Sequence, residues 1–179
     1  MSDAETYAPG AANLAQVRKD GENWRLVLVK DLRHPPEKVW RALTEPAHLS
    51  EWAPFDASGN LGTIGTVNLT WIGTATPVET RVTRADAPHV LEYQTGENDM
   101  RWELEIRDGG TRLTLWAAID RRFISMGAAG WHIAFDVLER LLDGAPIGRI
   151  GGAAAMQFDG WQRLNAEYAQ QFGIELPKW

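Results

Sequence analysis

Cysteine is absent from the 179 residues. That excludes disulfides, thiolate metal sites and a thiol nucleophile. No apolar run approaches the roughly 20 residues that a helix needs to cross a bilayer, so membrane insertion is not expected. Positive charge is in deficit: 18 Lys and Arg stand against 24 Asp and Glu, a formal net charge of −6. Binding to a phosphate backbone needs clustered Lys and Arg, and no basic stripe is present, so nucleic acid is not an expected partner. The first 22 residues lack a basic segment followed by an apolar one, so a secretory leader is not expected and the cytoplasm is the expected location. Histidine is scarce as well. His34, His48, His89 and His132 make no H-x-H or H-x-x-x-H pair, so no metal site is expected. None of Ser2, Ser50, Ser58 and Ser125 lies in a G-x-S-x-G turn. The run Gly59-x-x-Gly62-x-x-Gly65 lacks dinucleotide spacing and leads into a strand, and GRIGGAAAM reads as a flexible link before a helix. No cofactor is expected.

What is present is aromatic and apolar. With 44% hydrophobic residues and nine tryptophans, the chain suits one core of ordinary size, burying roughly 70% of its unfolded surface. Residues 1–22 read as a flexible tail and 23–175 as a single domain. WRLVLVKDL from Trp24 reads as a first strand, stopped by Pro35-Pro36. Two short helices follow in HPPEKVWRALTEPAHLSEW: Pro36 and Pro46 suit first turns, and Val39, Trp40 and Leu43, then Leu49 and Trp52, share faces. Five more alternating runs follow, GTVNLTWIG, TPVETRVTRAD, HVLEYQTG, DMRWELEIRDGG and TRLTLWAAIDRR, with Asp108-Gly109-Gly110 a hairpin turn. Their short spacing favours an antiparallel meander. From about Met126 to Leu142 the period becomes helical, with Trp131, Ala134, Phe135, Leu138, Leu141 and Leu142 in one arc and His132, Asp136, Glu139 and Arg140 opposite. A final helix is expected at about 153–172, interrupted or started near Gly160.

The pattern P-x-x-V-W-x-A-L-T-x-P-x-x-L-x-x-W from Pro36 to Trp52, read with AAGWHIAFDVLERLLDG, resembles the START-like (SRPBCC, helix-grip) superfamily. Within it the chain is similar to the homologues of the activator of the 90-kilodalton heat-shock chaperone's ATPase. The resemblance implies an α+β helix-grip fold: a curved antiparallel sheet of about six strands wraps a long C-terminal helix, and two short helices close one end. It also implies an apolar cavity between sheet and helix, with Gly130-Trp131-His132 at its mouth. Members of the superfamily bind small apolar or amphipathic ligands, and some catalyse cyclisation. The family name adds chaperone interaction and stress response, although the 22-residue tail is expected to be too short for the extra N-terminal domain of the stimulating activators.

Two constellations carry candidate chemistry, each with two readings. His132 and Asp136, four apart on the long helix, can meet as a general base and its orienting carboxylate in a cyclase- or dehydratase-like enzyme. On the polar arc the plainer reading is a solvent-facing ion pair. Trp71, Tyr93, Trp102, Trp131 and Phe135, together with His132, could line a ligand chamber. Plain core packing accounts for the aromatic set equally well. Exposed edge strands and Trp116 on the outer row are compatible with a homodimer, without fixing an interface.

Overall fold

The computed structural model describes residues 7–174. Eight antiparallel strands form one sheet: β1 (Ala15–Asp20), β2 (Asn23–Leu32), β3 (Phe55–Ala57), β4 (Gly65–Trp71), β5 (Val78–Asp86), β6 (Val90–Thr95), β7 (Asn98–Arg107) and β8 (Gly110–Ile119). Their spatial order is β1-β2-β8-β7-β6-β5-β4-β3. The α+β class and the long C-terminal helix are as expected, but the count of about six strands is corrected to eight. The two additions are β1, inside the segment expected to be a flexible tail, and the three-residue β3. β1 carries two buried or half-buried apolar residues, Ala15 and Val17, before Arg18 and Lys19 turn outward. That is too short an alternation to stand out, and its charges suit an edge strand.

Local chemistry explains the turns. Asp108 and Gly109 have φ of 51° and 80° and join β7 to β8 across the pair Arg107 and Gly110. Both central residues lie at positive φ, the two-residue hairpin geometry that matches strand twist and that Asp-Gly sequences favour. The register of β5 against β6 shifts between Val82 and Arg84, a bulge of the kind that bends a strand and increases its local twist.

Between β2 and β3 lie α1 (Pro36–Thr44) and α2 (Pro46–Trp52). Glu45, extended at φ −79° and ψ 126°, ends α1 and begins α2. Pro46 follows it and holds Glu45 out of the helical region, so the two helices meet at a corner with no linker. Trp52 Nε1 donates to Ala42 O at 2.8 Å, and Thr44 Oγ1 to Trp40 O at 2.8 Å. These bonds fix the corner while Val39, Leu43, Leu49 and Trp52 are buried.

A single turn at Arg121–Phe123 leads into α3 (Ile124–Leu142), which lies across the concave face of the sheet. The expected last helix is two: α4 (Gly152–Met156) and α5 (Asp159–Phe172), parted at Gln157-Phe158. α5 packs along the side of α3 away from the sheet's centre and also touches β1. Trp102, 1% exposed, is the centre of the core. It stacks on Phe135 at 6.0 Å, meets Trp131 and Trp52 edge-on at 5.6 and 6.1 Å, and donates Nε1–H to Tyr93 Oη at 3.0 Å.

Candidate functional site: an apolar cavity at the end of the grip

The core does not fill the whole concave face. Beyond Trp102, toward the ends of β6, β7 and β8, a cavity of about 440 Å³ remains. Trp71, Val78, Thr95, Met100, Ala117 and Trp131 form its walls. The space follows from residue size. On β8 the inward row runs Leu113, Leu115, Ala117, so two large residues pack under α3 and the third leaves a gap. On β6 the inward row Leu91, Tyr93, Thr95 likewise ends on a small side chain. α3 comes close to this end of the sheet through Gly127, where a Cβ would lie 2.6 Å from Ile119 Cδ1.

Trp71 and Trp131 meet edge-on at 6.5 Å and 88°. Together they also wall a smaller cavity of about 200 Å³ toward Gly130, Ile150 and Trp161. The tryptophan pair therefore divides two apolar spaces. On its outer side the larger cavity adjoins an open, polar recess of about 540 Å³, which shares Glu97, Asn98, Ala118 and Ile119 with it. In the recess Arg25 faces Asp99 at 3.8 Å, and Arg121 lies over the Trp24 ring at 5.9 Å. Asp120 is bound by Arg122 at 3.0 Å, a hydrogen bond that holds its carboxyl well below the usual range.

Inside the cavity the polar inventory is short. Glu97 is the one charged residue among those lining it. Thr95 is 5% exposed, and its Oγ1 is buried without a hydrogen-bond partner among the described residues.

The candidate base lies elsewhere. His132 is 2% exposed on the flank of α3 that faces α5, and it does not line the cavity. Its Nδ1 is 2.6 Å from Tyr168 Oη. Leu14 N donates to that oxygen at 3.2 Å, and Nε2 faces Asp136 Oδ2 at 3.6 Å; the tautomer protonated at Nε2 points its proton at the carboxylate and leaves Nδ1 to accept from the Tyr168 hydroxyl. Asp136 is engaged further: Lys30 Nζ reaches Oδ1 at 2.6 Å and the Tyr7 hydroxyl donates to Oδ2. Burial pulls the His132 imidazole below its ordinary pKa, with Asp136 opposing and Lys30 and Arg163 assisting. Burial also pushes the Tyr168 hydroxyl up to about 12. The solvent-facing reading of this pair is corrected by the same contacts: the polar arc of α3 is roofed by Tyr7, β1 and α5. The result is a closed clamp of paired groups, each satisfied by another.

The family model described as activator of Hsp90 ATPase homolog 1-like protein matches residues 33–143. The chain belongs to this family. The matched segment runs from the residues before α1 to the end of α3, and so includes both tryptophans of the cavity wall. β1, β2, α4 and α5 lie outside it. Among solved structures, a conserved protein of unknown function from Enterococcus faecalis is 20% identical, with a TM-score of 0.67 over 90% of this chain and 92% of its own. CalU16 from Micromonospora echinospora is 18% identical, with a TM-score of 0.63 over 89% and 93%. DynU16, from the dynemicin biosynthetic locus, is 19% identical, with a TM-score of 0.63 over 72% of this chain and 51% of its own. These likenesses establish the fold. No curated protein matches the chain.

Of the candidate ligand residues in this family member, Trp71 and Trp131 line the larger cavity. Tyr93, Trp102 and Phe135 are packed on one another beneath it. His132 is apart from both groups. Thr95, Met100, Val78 and Ala117 were not among the candidates, because none carries a chemical signature. For Thr95 and Ala117 a signal was nonetheless present: each continues an inward row of large residues with a small one.

Proposed function

We propose that this member of the family is a binding module for a small, largely apolar molecule seated between the Trp71–Trp131 pair and the ends of β6, β7 and β8. The observation that carries the reading is the cavity of about 440 Å³, with predominantly apolar walls and an open side toward the polar recess. Ligand sites of roughly 300–1,000 Å³ are typically of this make: apolar, aromatic and furnished with few polar groups. Burying some 250 Å² of ligand at about 25 cal/mol per Å² supplies roughly 6 kcal/mol before ordering costs, which places apolar contact alone short of tight binding. The two wall tryptophans supply a built-in fluorescent reporter. No metal-ligating group of three or more residues occurs among the described residues.

Titration with naphthalene, phenanthrene and anthracene, followed by tryptophan fluorescence and native mass spectrometry, tests the reading. Saturable one-to-one binding is expected, and Ala117→Leu, which projects a side chain into the space, should weaken it at least tenfold while the protein stays folded. Absence of binding across the series, or binding indifferent to Ala117→Leu, overturns it.

A further inference from the structure

The smaller cavity, on the other side of the tryptophan pair, is built from two parts of the chain. Trp71, Gly130, Trp131 and Ile133 wall it from within the segment that the family model matches. Ile150, Ala155 and Trp161 close it from beyond that segment. The outer wall is held by close contact with the end of β4. A Cβ at Gly151 would lie 2.7 Å from Ile72 Cδ1, and one at Gly152 2.9 Å from Ile72 Cγ2, so a side chain at either position would push the wall away.

Gly130 has no such reason to be glycine. It lies inside α3 with helical backbone, where glycine is disfavoured relative to alanine, and a Cβ there would meet nothing within 4 Å. At about 100° per residue it falls in the middle of the arc spanned by Gly127, Trp131 and Ile133, all of which line the cavity. The missing side chain is therefore missing from the cavity itself, and any larger residue would stand in it.

The space is about 200 Å³, and no charged residue is among those lining it. The indole N–H groups of Trp71, Trp131 and Trp161 are its polar side-chain atoms. Apolar cavities of about 150 Å³ stay free of water and take benzene. A carboxylate or ammonium group brought here would lose its hydration and meet no opposite charge. We infer that the smaller cavity is a second, separate binding site, which takes an uncharged single-ring hydrocarbon of benzene's size, and that Gly130 holds it open. The site does not depend on a guest in the larger cavity, with which it shares only the wall of Trp71 and Trp131.

Benzene, followed by proton NMR, tests the inference. In the wild type, nuclear Overhauser contacts from benzene to Ile150 and Trp161 are expected, since both line the smaller cavity and neither lines the larger. Ala117→Leu fills the larger cavity, and this variant should still bind benzene saturably and one-to-one. Adding Gly130→Leu to it should weaken benzene about tenfold or more. Benzoate at pH 8 should bind the Ala117→Leu chain about tenfold more weakly than benzene does. Absence of contacts to Ile150 and Trp161, indifference to Gly130→Leu, or benzoate binding as tightly as benzene overturns the inference. Benzene binding abolished by Ala117→Leu belongs to the larger cavity, which overturns the second site and leaves the proposed function standing. Gly130→Ala reads the space without any ligand. Its methyl group meets nothing and favours the helix, so this variant should melt above the wild type. A lowered midpoint would mean that protein already occupies the space, which also overturns the inference.

Discussion

The two long flanks of α3 bury very different things. Toward β6, β7 and β8 it presents Trp131 and Phe135, which are well packed against Trp102 and then run out, leaving space. Toward β1, β2 and α5 it presents His132 and Asp136, whose polar atoms are taken up by Tyr168, Lys30 and Tyr7. The side with conspicuous chemistry is closed and satisfied, and the side without it is open. A histidine and an aspartate at helical spacing are here a means of docking the terminal segments onto the grip, because buried charges require partners. Apolar packing carries no such obligation, so it can end early and leave room for a guest.

Breaking the apolar flank at its centre should have the largest effect. Trp102→Ala removes a fully buried indole and leaves Tyr93 Oη without its donor. A loss of about 4 kcal/mol is expected in urea unfolding at pH 8. A loss under 1 kcal/mol would show that Trp102 is not the centre of the core. On the polar flank, Asp136→Ala leaves Lys30 as a largely buried cation with its side chain 12% exposed. The remaining carboxylate near Lys30 Nζ, that of Glu139, lies at 3.6 Å and is 40% exposed. About 3 kcal/mol should be lost, and Lys30→Met combined with Asp136→Leu should recover much of it, since an apolar pair avoids the unpaired charge. Naphthalene affinity should be unchanged in that double variant, because neither residue lines the cavity.

The smallest and most diagnostic effect is on pH dependence. Burial lowers the folded-state pKa of His132 below its unfolded value, which is near 6.5. The unfolded chain therefore takes up the proton first. Stability is retained above about pH 6.5 and declines as pH falls below it, with a slope of at most about 1.4 kcal/mol per pH unit for one proton. Lys30 and Arg163 reinforce this direction, whereas Asp136 and Glu167 act against it. Urea titrations between pH 8 and pH 5.5 should show a steeper decline in the wild type than in His132→Gln. Parallel profiles would mean that the imidazole takes up its proton alike in the folded and unfolded chains, and a shallower decline in the wild type that it is already charged in the folded protein.

Legibility in the sequence followed the same division. The corner at Thr44-Glu45-Pro46, the Asp108-Gly109 hairpin and the long helix are local, and each is written in proline position, turn residues or period. β1 is written too, though faintly: Asp20-Gly21-Glu22-Asn23 turns between AQV and WRLV, with Gly21 at φ +64°. Its charged residues hide the alternation. The surroundings of His132 were not legible, because helical period says which residues share a face and nothing of what later segments cover it. Tyr7 is 129 positions from Asp136, and Tyr168 is 36 from His132. The cavity was illegible for a related reason. Periodicity identified Trp71 and Trp131 as inward-facing, but an unfilled volume depends on where Ala117 and Thr95 arrive relative to them in three dimensions.

The clamp over His132 also has a temporal side. On the ribosome, Tyr7 and Ala12 are made long before their partners Asp136, Glu167 and Gln171. The β1–β2 hairpin can form at once, since its strands are joined by a short turn. Tyr7 and Ala12 have nothing to bind until α3 and α5 have left the exit tunnel, a delay of roughly 7 to 30 seconds at about 5–20 residues per second. During that interval a nascent chain would expose Lys30 and the adjoining inner face of β2. The segment ahead of the β1–β2 hairpin is thus made before its partners and fastened last.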